Sequence, residues 1–336
     1  MIDAYCSQPQ YARHLLPIWE ALPSEHRGTL YVSGRLLDDA GVMAAGAKPK
    51  DSRLMSRGPR VLVASHIDYQ AVSGYRRVIL AQHGAGQSYG ADSDPGVNRC
   101  PSYAGGDNQD RVDLFLVPGL RPAQRTRERY PHTPVAEIGC PVLDRWLLNP
   151  PQPMNAHPIV ALAWHWENQL CPETRSALPH FKSALADLTS RYTVIGHAHP
   201  RARNLVSWLY DSLGIVWADY ETVMTSADVL CTDNSSVGFE AMAVGKPVVW
   251  MTPPWYRDVD HGIRFGHDFH SRPYLEAREP WQLVPAVGDA LRGYGRVDMS
   301  HVYTHMDGRS AERAAAAIVA LDEEADAMRL AAGVTP

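Results

Sequence analysis

The stretch Ala227-Asp228-Val229-Leu230-Cys231-Thr232-Asp233-Asn234-Ser235-Ser236-Val237-Gly238-Phe239-Glu240-Ala241, continuing through Met242-Ala243-Val244-Gly245-Lys246-Pro247-Val248-Val249, decides the fold. Val229-Thr232 is a short β-branched apolar run of the kind that fills a parallel strand covered on both faces. Two small hydroxyl residues then open a helical stretch from Ser235 to Val244, and Pro247-Met251 begins another strand. The first N–H groups of such a helix lack intrahelical partners and lie at the positive end of its dipole, so they attract an anion. The hydroxyls of Ser235 and Ser236 add donors, and the segment predicts a diphosphate seat. Glu240, about one turn further on, predicts a carboxylate that accepts both hydroxyls of a ribose.

Working outward, short apolar runs alternate with longer amphipathic ones almost from end to end, which predicts parallel sheets covered by helices. In the first half the strands are expected at Ile2-Cys6, Thr29-Val32, Val61-Ala64, Val78-Gln82, Leu114-Val117 and Val135-Ile138, with helices over 9–22, 35–46 and 121–130. In the second half Ile159-Ala163, Thr193-Gly196 and Ile215-Ala218 read as strands, with helices over 173–190, 202–213 and 220–227. Between the halves, Asn149-Pro150-Pro151-Gln152-Pro153-Met154-Asn155 cannot continue a helix or a central strand. The boundaries that follow are one Rossmann-like domain over 1–150 and a second Rossmann-like domain, carrying the diphosphate seat, over 151–310; the resemblance named below implies an acceptor role for the first and a nucleotide-donor role for the second. A helix over 311–336 is long enough, at ~1.5 Å per residue, to cross back onto the first domain.

The 336 residues, 45% hydrophobic and 21% charged with a net charge of -5, exclude disorder, collagen-like repeats and a histone-like basic surface. Five dispersed cysteines without a CxxC pair point to a reducing, cytoplasmic setting. No apolar run approaches the ~18–20 residues of a membrane span, so work at a membrane is expected to be peripheral contact on its inner face. Lysine occurs only at 48, 50, 182 and 246, which draws attention to the isolated Lys246.

Asp233-x-Ser235-Ser236, the acidic Glu240 and Gly245-Lys246-Pro247 resemble the donor-site signature of the CDP-glycerol glycerophosphotransferases, the teichoic-acid polymerase family with a GT-B fold. Other pieces occur in the family's order: Gln82-His83-Gly84, Gly196-His197-Ala198-His199-Pro200 and Asp307-Gly308-Arg309-Ser310-Ala311-Glu312-Arg313. The segment is similar, less closely, to UDP-N-acetylglucosamine 2-epimerases. The resemblance implies two Rossmann-like domains with parallel sheets facing across a cleft. It also implies a transferase that moves a glycosyl or glycerol-phosphate group from a nucleoside-diphosphate donor to an acceptor hydroxyl on a polymer, glycan, protein or modified nucleobase.

By the same resemblance His83 is the general base, a role that suits an imidazole of ordinary pKa near ~6.5. His199 or His197 stabilises the leaving diphosphate, with Arg201 and Arg203 adding charge; His199-Pro200 is the closer match. Trp164 and His165, in Trp164-His165-Trp166, stand where the family carries an aromatic and a basic residue, as base or hinge contacts. Gln8, Tyr11 and His14 flank the first strand-to-helix turn and are candidate acceptor contacts. Glu stands where the family carries Asp at 240, which leaves a sugar donor as open as glycerol phosphate. An epimerase acting on its nucleotide sugar alone and a non-catalytic nucleotide-binding protein are the alternatives.

Asp92-Ser93-Asp94 spells the DxD of metal-dependent GT-A enzymes, but it lacks the nucleotide half that such enzymes build around it. No histidine pair has a third ligand at metal spacing, so neither a metal nor a cofactor is expected. Arg121, Arg125 and Arg129, with Arg127 nearby, recur along one helix and read as a solvated face interspersed with Glu128 rather than a polyanion stripe.

Overall fold

The computed structural model describes residues 1–50, 60–83, 109–151, 156–167, 175–233, 235–256, 275–295, 297–300 and 302–331. Two compact units result: residues 1–83, 109–148 and 300–331 form one, and residues 149–299 the other.

The first unit runs β1 (Ile2–Cys6), α1 (Pro9–Ala21), β2 (Arg27–Val32), α2 (Ala40–Ala44), β3 (Lys48–Pro49), β4 (Arg60–Val63), α3 (His66–Ala71), β5 (Arg77–Ala81), β6 (Val112–Val117), α4 (Leu120–Arg129), β7 (Val135–Glu137) and α5 (Asp144–Leu148). Its seven strands are parallel in the order β3-β2-β1-β4-β5-β6-β7. The second unit runs β8 (Ile159–Trp164), α6 (Leu178–Phe181), α7 (Leu185–Arg191), β9 (Thr193–Ala198), α8 (Arg203–Leu213), β10 (Val216–Trp217), α9 (Tyr220–Ser226), β11 (Val229–Thr232), α10 (Val237–Ala243), β12 (Val248–Met251), β13 (Leu275–Ala277) and α11 (Leu283–Leu291). Its six strands are parallel in the order β10-β9-β8-β11-β12-β13. The fold is the predicted α/β one, a doubly wound parallel sheet in each unit.

In each sheet the chain winds outward in one direction and then reverses, between β1 and β4 in the first and between β8 and β11 in the second. Diverging connections leave a crevice at the carboxyl ends of the strands beside such a reversal. The segments after β1, β4 and β5, and after β8, β9 and β11, therefore occupy the ligand-binding positions of their sheets.

α12 (Ser310–Ala331) completes the first unit by packing on α1; its Ala314, Ala315 and Ile318 join the core with Leu15 and Ile18. Asp144 starts this helix from 166 residues away, accepting the N–H groups of Ser310 (3.0 Å) and Ala311 (2.8 Å). Much of the Asp307–Arg313 motif is thus structural: Asp307 pairs with Arg313, and Arg309 with Glu312 at 2.7 Å. The helix expected over 173–190 is instead two shorter pieces, α6 and α7.

α10 closes with Gly245 at φ +81°, a left-handed conformation that a side chain disfavours. Gly238, on the same helix, lets it lie directly on the sheet. A Cβ there would fall 2.4 Å from Trp250 Cη2 on β12 and 2.9 Å from Thr232 Cγ2 on β11.

Candidate functional site

In the second unit the end of β11 is organised by Asp233. Its fully buried carboxylate accepts the N–H of His165 (2.7 Å), the N–H of Ala177 (2.9 Å) and the hydroxyl of Ser176 (3.2 Å). One side chain thereby ties the loop after β8 to the turn that starts α6. Burial pushes its carboxyl up to about 7, against the pull of these donors.

The tied loop carries His165 and Trp166, and a second loop, after β9, brings His199 and Arg201 to them. The His199 ring lies 6.1 Å from that of His165 and 5.9 Å from that of Trp166, and the Arg201 guanidinium stacks over Trp166 at 4.6 Å. The backbone N–H of Arg201 donates to His199 Nδ1 (3.2 Å). In the neutral ring this leaves the proton on Nε2, so His199 presents an N–H donor, which suits an anion. His197 has the opposite polarity: its Nδ1 lies 3.0 Å from the Ala218 carbonyl, which can only accept, so the proton sits on Nδ1. Of the two histidines, His199 is the one whose neutral form can donate to a diphosphate from Nε2. Arg203 turns to the Trp217 ring instead (4.7 Å).

One expectation needs correction here. Trp164 does not stand beside a ligand: it is the last residue of a strand buried on both faces, is 1% exposed and packs in the core of its unit. Trp166, two residues on, is the aromatic beside Arg201. The isolated Lys246 is structural: its buried Nζ donates to the Ala227 carbonyl (2.6 Å), and burial lowers its pKa.

The α10 terminus also starts later than expected. Ser236, in helical conformation, is its N-cap without a side-chain cap bond, and the helix proper begins at Val237. Glu240 thus lies in the first turn, where it is buried and accepts the Tyr220 hydroxyl (2.5 Å) from α9. The sequence reading missed Tyr220; an aromatic hydroxyl twenty residues away leaves no local signature.

In the first unit His83 follows β5. Its Nδ1 lies 2.7 Å from the Ala64 carbonyl, so Nδ1 carries the proton and Nε2 the lone pair. Burial lowers its pKa to about 4, partly offset by the bond to Ala64, so the ring is neutral at physiological pH. Two α1 rings stand by it, Tyr11 edge-on at 4.9 Å and His14 at 6.0 Å. His14 is buried and, through burial first and the neighbouring His83 second, is held well below the ordinary histidine pKa. Gln8, just before α1, accepts the side-chain amide of Gln10 (2.5 Å).

A residue the sequence reading overlooked stands next to them. Asp68, fully buried in the first turn of α3, accepts the N–H of Ser7 (3.3 Å), while its own N–H donates to Ser65 Oγ (3.1 Å). Burial raises its carboxyl to about 7. Ser65-His66-Ile67-Asp68 has the spacing of a capped helix start, the one local signal that could have found it.

Gly84-Ala85-Gly86 and Asp92-Ser93-Asp94 lie outside the described residues, as does the side chain of Arg121. Arg127 pairs with Glu137 (3.0 Å). Among the described residues no group of three or more His, Cys, Asp or Glu could hold a metal ion, and no helix is long and apolar enough to cross a membrane.

Residues 176–320 match the family model described as CDP-Glycerol:Poly(glycerophosphate) glycerophosphotransferase. No curated protein matches the chain. Among solved structures, the wall teichoic acid polymerase TagF soaked with CDPG is similar at a TM-score of 0.65 and 14% identity, over 96% of this chain and 89% of that one. The Staphylococcus aureus MnaA–UDP structure is similar at 0.59 and 14%, over 99% and 97% of the two chains. The UDP-GlcNAc 2-epimerase of Methanocaldococcus jannaschii gives 0.59 and 12%, over 95% and 99%. At these identities the likeness is one of fold, which is that of the GT-B enzymes.

Proposed function

We propose that the chain, whose residues 176–320 match the model of the CDP-glycerol glycerophosphotransferases, is a transferase that moves a glycerol-phosphate or glycosyl group from a nucleoside-diphosphate donor to an acceptor hydroxyl, with His83 as the base. The observation that supports the base assignment is the bond from His83 Nδ1–H to Ala64 O, which leaves the Nε2 lone pair unprotonated, in a ring whose pKa burial holds at about 4 rather than at the ordinary histidine value. The acceptor O–H gives its proton to Nε2 as its oxygen bonds to the transferred group and the bond to the departing nucleotide breaks. His199 Nε2–H and Arg201 stabilise the charge that builds on the leaving phosphate. Ser235 and Ser236 supply further donors to the diphosphate, and Glu240, already positioned by Tyr220, holds the ribose.

The supporting experiment has two arms. A thermal-shift panel of CDP, UDP, GDP, dTDP and their glycerol and sugar conjugates identifies the donor, since a ligand at about 100 times its Kd adds roughly 2.7 kcal/mol. His83→Gln should then bind the chosen donor normally and lose about 10²–10⁴-fold in turnover. Full turnover in that variant would remove His83 from the reaction. The fold shared with UDP-GlcNAc 2-epimerases favours one second reading, identified by conversion of UDP-GlcNAc without any acceptor.

A further inference from the structure

Two loops of the second unit, the one after β8 and the one after β9, are joined twice, by backbone at the base and by rings at the tip. At the base, the N–H of His199 donates to the Trp164 carbonyl (2.9 Å), which extends the β8–β9 pairing one residue past β9. The N–H of His165 is taken by the buried carboxylate of Asp233 (2.7 Å), so the residue before Trp166 is pinned as well. At the tip, the Arg201 guanidinium lies over the Trp166 ring at 4.6 Å, and the rings of His165 and His199 each stand 5.9 Å from it.

Arg201 is thereby held at both of its polar ends. Its backbone N–H bonds His199 Nδ1 (3.2 Å) at the start of the single 3-10 turn Pro200–Ala202, and its exposed side chain rests on the half-buried indole. A long side chain in solvent gives up rotamer freedom when it grips a ligand, and a stack already formed removes most of that cost beforehand. The stack also has the right polarity. It occupies the face of the guanidinium and leaves the in-plane N–H groups at its edge, which is the edge that a phosphate takes two at a time.

The same contact argues against a nucleobase on this ring. A base laid on the face that carries Arg201 would have to displace the guanidinium, and with it the charge that the leaving phosphate needs.

We propose that Trp166 is a positioning residue for the leaving phosphate, acting through Arg201 rather than by touching the donor. The indole holds the guanidinium plane beside His199 before the donor arrives. This role rests on the reading of the two loops as the donor-phosphate site and deepens it by naming the residue that sets the arginine.

The test is nucleotide affinity in a double-mutant cycle on the full chain. CDP and UDP are titrated calorimetrically into wild type, Trp166→Leu, Trp166→Phe, Arg201→Ala and the variant carrying both Trp166→Leu and Arg201→Ala, with thermal melting on the same samples. For the diphosphate that wild type binds, Arg201→Ala should weaken affinity about 10- to 100-fold, the range of a charge-assisted hydrogen bond. Trp166→Leu should weaken it about tenfold, and Trp166→Phe, which keeps a ring face, should recover most of that loss. With Arg201 already removed, Trp166→Leu should cost less than about threefold, because the group it positions is gone. Should leucine lower the melt, Trp166→Gln, polar enough for a half-buried position, takes its place in the cycle. A tenfold loss that persists without Arg201 would make Trp166 a direct ligand contact and overturn the positioning role. Wild-type affinity in Trp166→Leu would overturn it too, while leaving the phosphate site in place. Binding of neither nucleotide by wild type would remove the phosphate site itself, and with it both the transferase reading and the role of Trp166.

Discussion

Replacing Gly238 with alanine tests the seat of α10 on its sheet, and two opposing terms decide the outcome. Alanine in place of glycine inside a helix contributes about 1 kcal/mol of propensity. Against that, the new Cβ would lie 2.4 and 2.8 Å from two ring carbons of Trp250 and 2.9 Å from Thr232 Cγ2, where carbon contacts normally sit at about 3.5–4.0 Å. Neither neighbour can yield easily, because Trp250 is buried and lies 5.0 Å from the Phe239 ring. The helix must retreat by about 1 Å, and overpacking of this kind costs about 1–3 kcal/mol. Gly238→Ala is therefore expected to be a net loss of up to about 2 kcal/mol, or roughly 2–4 °C of melting temperature for each kcal/mol.

The diagnostic arm is the same substitution in a Trp250→Phe background, where the two clashing ring carbons are gone. There the propensity term should offset most of the loss, giving a coupling energy of about 1–2 kcal/mol in a double-mutant cycle followed by far-UV circular dichroism in urea. Equal costs in the two backgrounds would refute the packing argument. The same retreat moves Ser235 and Ser236, so the single variant should also weaken nucleotide affinity and the double variant restore part of it.

Asp144→Ala uncaps α12 from a distance: with the N–H groups of Ser310 and Ala311 unpaired, a loss of about 1–2 kcal/mol and faster proteolysis within 310–331 are expected. The depressed pKa of His83 gives stability a pH sign. Between about 6.5 and about 4 the unfolded chain takes up a proton that the folded chain refuses, so stability falls as pH drops through that window, and His83→Gln should flatten part of the slope in urea melts. The acid limb of kcat/KM should fall near pH 4; a limb near 6.5 would show an exposed histidine at work instead. Lys246→Met should leave nucleotide affinity unchanged by calorimetry, because the Nζ serves Ala227.

The strands were legible where they are central. Val229–Thr232 is a continuous apolar run bounded by Asp and by Ala-Asp, and its observed limits coincide with those expected. The same burial on both faces hid the orientation of Trp164: β8 is buried at five successive positions, so no alternation told its last residue from Trp166 in the loop. Short elements escaped as well. α3 is six residues with no apolar period, and what defines it is a cap at Ser65 rather than a stripe. Within the site, positions near strand ends could be read from Gly, His and Ser punctuation. The bonds that orient them could not, because Ala64, Ala218, Tyr220 and Ala177 are partners that only the winding of the sheets brings near.

The first unit is discontinuous in sequence, and this governs the order in which a nascent chain can finish. α1 emerges early with an apolar face that includes Leu15 and Ile18, and its cover, Ala314 to Ile318 on α12, is made some three hundred residues later. Residues 149–299 are complete before that cover exists. During translation the second unit can therefore reach its native packing first, while the half that carries His83 waits with α1 uncovered, a natural client for a chaperone.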